Sequence, residues 1–261
     1  MSKIQDAFKN GKAFIPFITA GDHGIATTER YIRTMVKAGA DMIEIGIPFS
    51  DPTAEGPVIQ AASTRALSTG VKIDDIFDMV RRLRTGNEAI IVPLVFMTYV
   101  NPIYVYGCEK FFAYCEEVNI AGVIVPDMPF EEKGELQHFA SKHGVEVVSL
   151  IAPTSENRIE MIAKEAEGFV YCVSSLGVTG MRSEIKTDIK SIVDTIRKYT
   201  DIPVAVGFGI STPEQAAAMA KVSDGAIVGS AIVKIVAEHG DQADDVLFDY
   251  VKAMKTAVAQ A

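Results

Sequence analysis

Two carboxylates eleven positions apart, Glu44 and Glu55, are the residues best placed by type and context to do chemistry. Glu44 lies inside an apolar run, Asp41-Met42-Ile43-Glu44-Ile45-Gly46, that reads as a buried strand. A strand of a parallel sheet is covered on both faces, so a carboxyl group there needs an explanation. Apolar surroundings penalise the charged form, raise the pKa and yield an acid that works near neutral pH. The competing reading is a Glu paired with a neighbouring Arg, Lys or tyrosine hydroxyl for structural reasons alone. Glu55 follows on the proline-punctuated loop from Pro48 to Gly56.

A second group of residues suggests an anion site. Gly177-Val178-Thr179-Gly180, Gly207-Phe208-Gly209-Ile210-Ser211 and Gly229-Ser230-Ala231 each follow an apolar run late in the chain. Barrels often hold phosphate between the loops after strands seven and eight and the start of a short extra helix. Glycine lets backbone N–H groups approach an anion, and a helix N-terminus adds partial positive charge. Gly180, Gly209, Gly229 and Ser230 meet these needs without Arg or Lys. Strand–helix turns are rich in glycine for ordinary reasons, so it is the number and position of these loops that favour phosphate. Gly207-Phe208-Gly209 is no dinucleotide fingerprint, because Thr212 stands at the sixth position.

What is missing narrows the reaction. No Lys falls at a strand's carboxyl end, which disfavours Schiff-base and pyridoxal chemistry. His23, His138, His143 and His239 are scattered; His138 and His143 fall on an expected outer helix and read as solvent-exposed, so no metal site is expected. What remains is carboxylate acid–base work on a phosphate-bearing substrate. Phe17, Phe49, Met97, Tyr171 and Phe208 could line an apolar pocket of aromatic size, although barrel packing explains any one of them.

The elements that must position these groups form an alternating series. Eight β-branched apolar runs recur at 13–19, 42–46, 90–98, 122–127, 146–152, 168–174, 203–208 and 225–229. Helical periodicity marks 28–38, 73–83, 109–118, 131–143, 155–166, 188–199, 213–221 and 244–259, with further helices at 57–67 and 231–238. Helix-start signals stand at Thr212-Pro213-Glu214-Gln215 and Pro153-Thr154-Ser155. Strands alternating with helices predict a parallel sheet, and eight of them favour closure into a (β/α)8 TIM barrel with extra helices, one domain over residues 1–261. An open doubly wound sheet would carry a Gly-rich first turn, which Thr19-Ala20-Gly21-Asp22 lacks.

Composition agrees. Of 261 residues, 48% are hydrophobic and 23% charged, with a net charge of −9 that disfavours nucleic acid and anionic membrane as main partners. No apolar stretch approaches the roughly 18 residues of a membrane span, and the first ten residues do not read as a signal peptide. Three cysteines without CxxC spacing, Cys108, Cys115 and Cys172, suggest reduced thiols and a cytoplasmic protein.

The run Ile43–Pro52 followed by Ala54-Glu55-Gly56-Pro57 resembles the signature of the tryptophan synthase alpha chain family. Phe14–Asp22, Met97–Pro102, Pro126–Pro129, Gly177–Gly180, Gly207–Ser211 and Gly229–Lys234 match in order, so the resemblance covers nearly the whole sequence. It implies cleavage of indole-3-glycerol phosphate to indole and glyceraldehyde 3-phosphate, a retro-aldol reaction without cofactor. By the same resemblance Glu44 is the catalytic acid/base. Glu55 takes the position of the carboxylate that binds the indole N–H; the family usually has Asp there, and an aliphatic residue where this chain has Thr53. Gly180, Phe208, Gly209, Gly229 and Ser230 map to the phosphate contacts. Phe17, Ile59, Met97, Tyr171 and Phe208 map to the indole pocket, and Thr179 to a residue that helps to close the site and orient Glu44. The implied partner is the pyridoxal-dependent beta chain in an α2β2 heterotetramer, with Pro48, Asp51, Asn101 and Pro129 near the contact. Two other readings compete. One is a substrate-binding activator of the beta chain with weak chemistry of its own, motivated by Glu55 and Thr53. The other is a different phosphate-binding barrel such as indole-3-glycerol phosphate synthase, which would call for a strand-end Lys.

Overall fold

The structure is a computed structural model that describes residues 2–174, 188–207 and 209–261. Among these residues, eight parallel strands close into a barrel in the order β1 to β8. They are β1 (Ala13–Thr19), β2 (Ile43–Gly46), β3 (Leu94–Met97), β4 (Gly122–Ile124), β5 (Glu146–Ile151), β6 (Val170–Val173), β7 (Val204–Gly207) and β8 (Gly225–Val228). The helices around them are α1 (Ile25–Lys37), α2 (Pro57–Ser68), α3 (Ile73–Leu83), α4 (Val100–Tyr106), α5 (Cys108–Glu117), α6 (Gly134–Lys142), α7 (Glu156–Lys164), α8 (Ile189–Ile196), α9 (Pro213–Val222), α10 (Ser230–His239) and α11 (Asp244–Ala259). This is the (β/α)8 barrel that the alternating pattern predicts. No helix among the described residues is long and apolar enough to cross a membrane.

Period-two alternation divides the apolar side chains between two environments. Ile15, Phe17, Val95, Met97, Tyr171 and Ile227 point inward and form one cluster. Phe14, Ile18, Ile43, Ile45 and Phe96 point outward against the helices. The inner cluster is closed below by Ile4 and Ala7 of a 3-10 turn, Ile4–Phe8, and above by Ile59 and Ala62 of α2. The packing of α2 over the mouth has a local cause. Gly56 precedes it and Pro57 opens it, a favoured first-turn residue, while Asp22 after β1 takes Nε and Nη2 of Arg65 at 2.8 Å each.

Several elements are shorter than expected, β4 among them, and three departures have a local cause. The run 90–98 yields a strand only over Leu94–Met97. Pro93 lacks an N–H to donate, and the segment before it is instead a loop pinned by Arg84, whose Nη1 donates to the carbonyls of Ile90 and Val92 at 3.0 and 2.8 Å. Helix α4 is absent from the expected set; its Pro102 falls in the first turn, where the missing N–H costs nothing. The Asp127 carboxylate after β4 accepts the N–H of Val100 at 3.0 Å and so caps that helix from a neighbouring strand. The helix expected over 131–143 is divided into a 3-10 turn at Phe130–Glu132 and α6. Thr212 caps α9 as expected, in a reciprocal bond with Gln215, whereas Ser155 makes no side-chain cap for α7.

Candidate active site

A narrow cavity opens at the carboxyl ends of the strands. Its wall is made by Phe17, Glu44, Ile59, Met97, Tyr171, Gly209, Ile210, Ile227, Gly229 and Ser230. Phe17 of β1 stands in register with Glu44 of β2, and Glu44 with Val95 of β3. A side chain at Gly46 would come within 2.5 and 2.7 Å of the Phe17 ring, so the missing Cβ leaves the ring its place. Gly207 does the same for Tyr171, whose ring carbons lie 2.6 and 2.7 Å from where a Cβ would be.

Glu44 is 1% exposed, and its Oε2 has no hydrogen-bond partner among the described residues. Burial pushes its carboxyl up to about 8, and the nearby charge of Glu55 adds to the shift. It is therefore protonated near neutral pH, as the apolar strand predicts. Glu55 is 7% exposed and is raised to about 7 by burial, the nearby Tyr99 hydroxyl drawing it part of the way back; its Oε2 has no hydrogen-bond partner among the described residues. Burial raises both carboxyls, and the charge of Glu55 raises Glu44 further, so the two titrate as a pair.

The part of the cavity wall formed by Gly209, Gly229 and Ser230 has features that suit an anion. Gly229 precedes α10 without a side-chain cap, so the first N–H groups of that helix have no partner within it. Gly209 adopts a φ of 82°, a left-handed conformation open to glycine. No Lys or Arg among the described residues lines the cavity. An anion held here would be bound by amide hydrogens and the α10 dipole.

The structure thus brings together Phe17, Glu44, Ile59, Met97, Tyr171, Gly209, Gly229 and Ser230. Thr179, Gly180 and Phe208 lie outside the described residues. Glu55 couples to Glu44 electrostatically but is not part of the cavity wall. Phe49 is a correction: its ring packs on Tyr99 at 5.4 Å and borders a separate groove. It follows Pro48 out of the strand, where alternation no longer dictates an inward side. His143 is a second correction. It is 11% exposed and lies between Glu109 and Glu116, because it ends α6 against α5. No cluster of metal-ligating side chains occurs among the described residues. Sequence reasoning missed Ile210 and Ile227 as wall residues, and assigned no role to Tyr99. Inward alternation along β8 was the available signal for Ile227.

Comparison with known proteins agrees with this geometry. A family model described as tryptophan synthase alpha chain matches residues 4–260. A tryptophan synthase alpha chain of Lacticaseibacillus casei is 47% identical over 258 residues, covering 99% of this chain and 96% of that protein. One from Thermoanaerobacter sp. (strain X514) is 49% identical over 227 residues, 87% of this chain and 86% of that protein. The crystal structure of tryptophan synthase subunit alpha from Legionella pneumophila superposes with a TM-score of 0.89 at 35% identity, covering 100% of both chains. A chain of the tryptophan synthase complex from Pyrococcus furiosus gives a TM-score of 0.85 at 34% identity, covering 95% of this chain and 99% of that one. With a buried carboxyl in the wall of a cavity at the carboxyl ends of the strands, and relatives matched nearly from end to end, the chain belongs to the tryptophan synthase alpha chain family.

Proposed function

We propose that Glu44 and Glu55 divide between them the proton and charge chemistry of the reaction this chain catalyses. That reaction is the cleavage of indole-3-glycerol phosphate to indole and glyceraldehyde 3-phosphate, a lyase step of tryptophan biosynthesis. The observation that carries the assignment is Glu44 itself, an acid whose pKa is raised to about 8 in the wall of an apolar cavity that also presents the α10 N-terminus.

Indole is a poor leaving group until its C3 carbon gains a proton. Protonated Glu44 supplies that proton, and the C3–glycerol bond breaks as its electrons restore the aromatic ring. The carboxylate so formed takes the proton of the glycerol hydroxyl, which becomes the aldehyde, and Glu44 returns to its starting state. Positive charge that builds on the ring is offset by ionised Glu55. Phe17, Met97, Ile59 and Tyr171 would hold the ring, while Gly209, Gly229 and Ser230, with Gly180 and Phe208, would hold the phosphate. Thr179 would help to close the site and orient Glu44. No step in this scheme calls on a cofactor.

Rate should follow a bell-shaped pH profile. The reaction needs Glu55 ionised and Glu44 protonated, so kcat/KM falls below about 7 and again above about 8. Glu44→Gln should lower indole release at least about a hundredfold while circular dichroism remains unchanged. Full activity in that variant would overturn the assignment.

We also infer docking to a beta chain in an α2β2 assembly. The relative from Pyrococcus furiosus belongs to a tryptophan synthase complex. Pro48 and Asn101 here border an apolar groove beside Val105, which is 81% exposed. Pro129 borders a second groove, and Asp51 is exposed between them in sequence. Indole release measured with and without a beta chain tests this: stimulation that vanishes when Asn101 is changed to Trp supports it, and equal rates in all cases oppose it.

A further inference from the structure

The turn after β7 carries two residues of the cavity wall, Gly209 and Ile210. An anion site made of amide hydrogens has no cation to draw its ligand into place, so its strength depends on where the peptide planes point. Gly209 sits at a φ of 82°, and glycine is the residue that changes backbone conformation most readily. The fixed orientation of this turn must therefore come from its neighbours.

It comes from Ser211, the residue that follows the wall. The Ser211 N–H donates to Gln215 Oε1 at 2.8 Å, and the Ser211 hydroxyl donates to the same oxygen at 3.1 Å. The Ser211 carbonyl accepts the hydroxyl of Tyr250 at 2.9 Å. Main-chain donor, main-chain acceptor and side chain are all engaged. A capping box for α9 requires only the reciprocal bonds of Thr212 and Gln215, which are present at 3.3 Å each. The three bonds to Ser211 are additional to the cap. They also come from two different elements. Gln215 stands in the first turn of α9 and Tyr250 on α11, and these helices pack on each other, with the Tyr250 ring against the core. Neither side chain lines the cavity, so any influence on a ligand passes through the turn.

We propose that Gln215 and Tyr250 are positioning residues for the phosphate end of the substrate. By gripping Ser211 through its N–H, hydroxyl and carbonyl, they hold the Gly209–Ile210 backbone in the orientation that binds the anion. This rests on the phosphate contacts proposed above. The phosphate is remote from the carbon that Glu44 protonates. Loosening the turn thus weakens ground state and transition state alike, which raises KM and leaves kcat nearly alone.

The test is steady-state indole release by the full chain, with inorganic phosphate as a competing probe. Tyr250→Phe removes one oxygen and keeps the ring; Gln215→Met removes the shared acceptor at similar volume. Each should raise KM and the inhibition constant of inorganic phosphate together by about fivefold, with kcat within about twofold. The double variant should fall short of the product of the two, because either loss already frees Ser211. Ile4→Ala, at the far end of the barrel, serves as a control for lost stability and should move neither constant. If Tyr250→Phe and Gln215→Met lower the melting temperature but keep the parental KM and phosphate inhibition, the bonds only pack α9 on α11 and the inference is overturned. Tyr250→Phe alone decides this should Gln215→Met fail to fold. Effects that multiply in the double variant would mean two separate contacts and would overturn the shared grip. Ser230→Asp separates the two levels. If it raises KM while Tyr250→Phe does not, the phosphate site stands and only the positioning role falls. If it too leaves KM and phosphate inhibition unchanged, the phosphate site falls and this inference falls with it.

Discussion

At the scale of single residues, the site is defined by a carboxyl group placed where its charged form is unwelcome. Glu44 was legible in the sequence because Met, Ile and Ile around it mark a strand that admits no exposed face. Its environment makes a prediction about stability as well as rate. The folded-state value of about 8 lies above the ordinary 4.5, so between those limits the folded chain keeps a proton that the unfolded chain releases. Stability from this group is complete at low pH and is lost as pH rises through about 8. Glu44→Gln removes the titration. Its melting temperature should exceed that of the parent by more near pH 8.5 than near pH 5, in the sense that proton linkage requires. Calorimetry over that range checks it, and a pH-independent difference would contradict the raised value. Glu55 was also legible as a second carboxylate, but the bond from its neighbour Ala54 to Tyr99 was not. Nothing in the spacing of 54 and 99 announces a contact between a loop after β2 and the turn after β3.

At the scale of elements, the first turn of α10 is the part with most functional consequence. Its capping position is a glycine that offers no side-chain acceptor, so its amides remain for a ligand. Ser230→Asp would place a carboxylate in that turn, occupying the amides and repelling phosphate. KM for the phosphate substrate should rise at least about tenfold, with kcat changed less, and inorganic phosphate should cease to inhibit. Steady-state kinetics would show this; an unchanged KM would remove the phosphate from α10. The elements themselves were legible where periodicity ran unbroken, as in β1, α3 and α11, whose bounds agree with the expectation. They were not legible where a proline had two meanings. Pro93 shortens β3 by withholding a donor, whereas Pro102 is harmless because it falls in the first turn of α4.

At the scale of the whole molecule, the barrel separates stability from chemistry. The lower end is sealed by Ile4, fully buried against Gly122 and Gly168, where a Cβ would approach its Cδ1 to 2.7 and 2.9 Å. Ile4→Ala should cost about 2–4 kcal/mol in denaturant unfolding while kcat stays within about twofold, since the reacting end is far from the seal. A matching loss of kcat under native conditions would show that the two ends are coupled. The sequence by itself determined the strand count and the identity of the acid, because each follows from residue type and local period, and its ordered motifs carried the reaction class. Only the tertiary structure decided that Phe49 turns away from the cavity, that His143 lies between two glutamates of α5, and that the Tyr99 hydroxyl takes the N–H of Ala54 in the loop after β2. Those facts depend on which side chains meet across loops distant in the chain. A linear pattern fixes the face a residue takes on its own element, and leaves open what waits for it on the next.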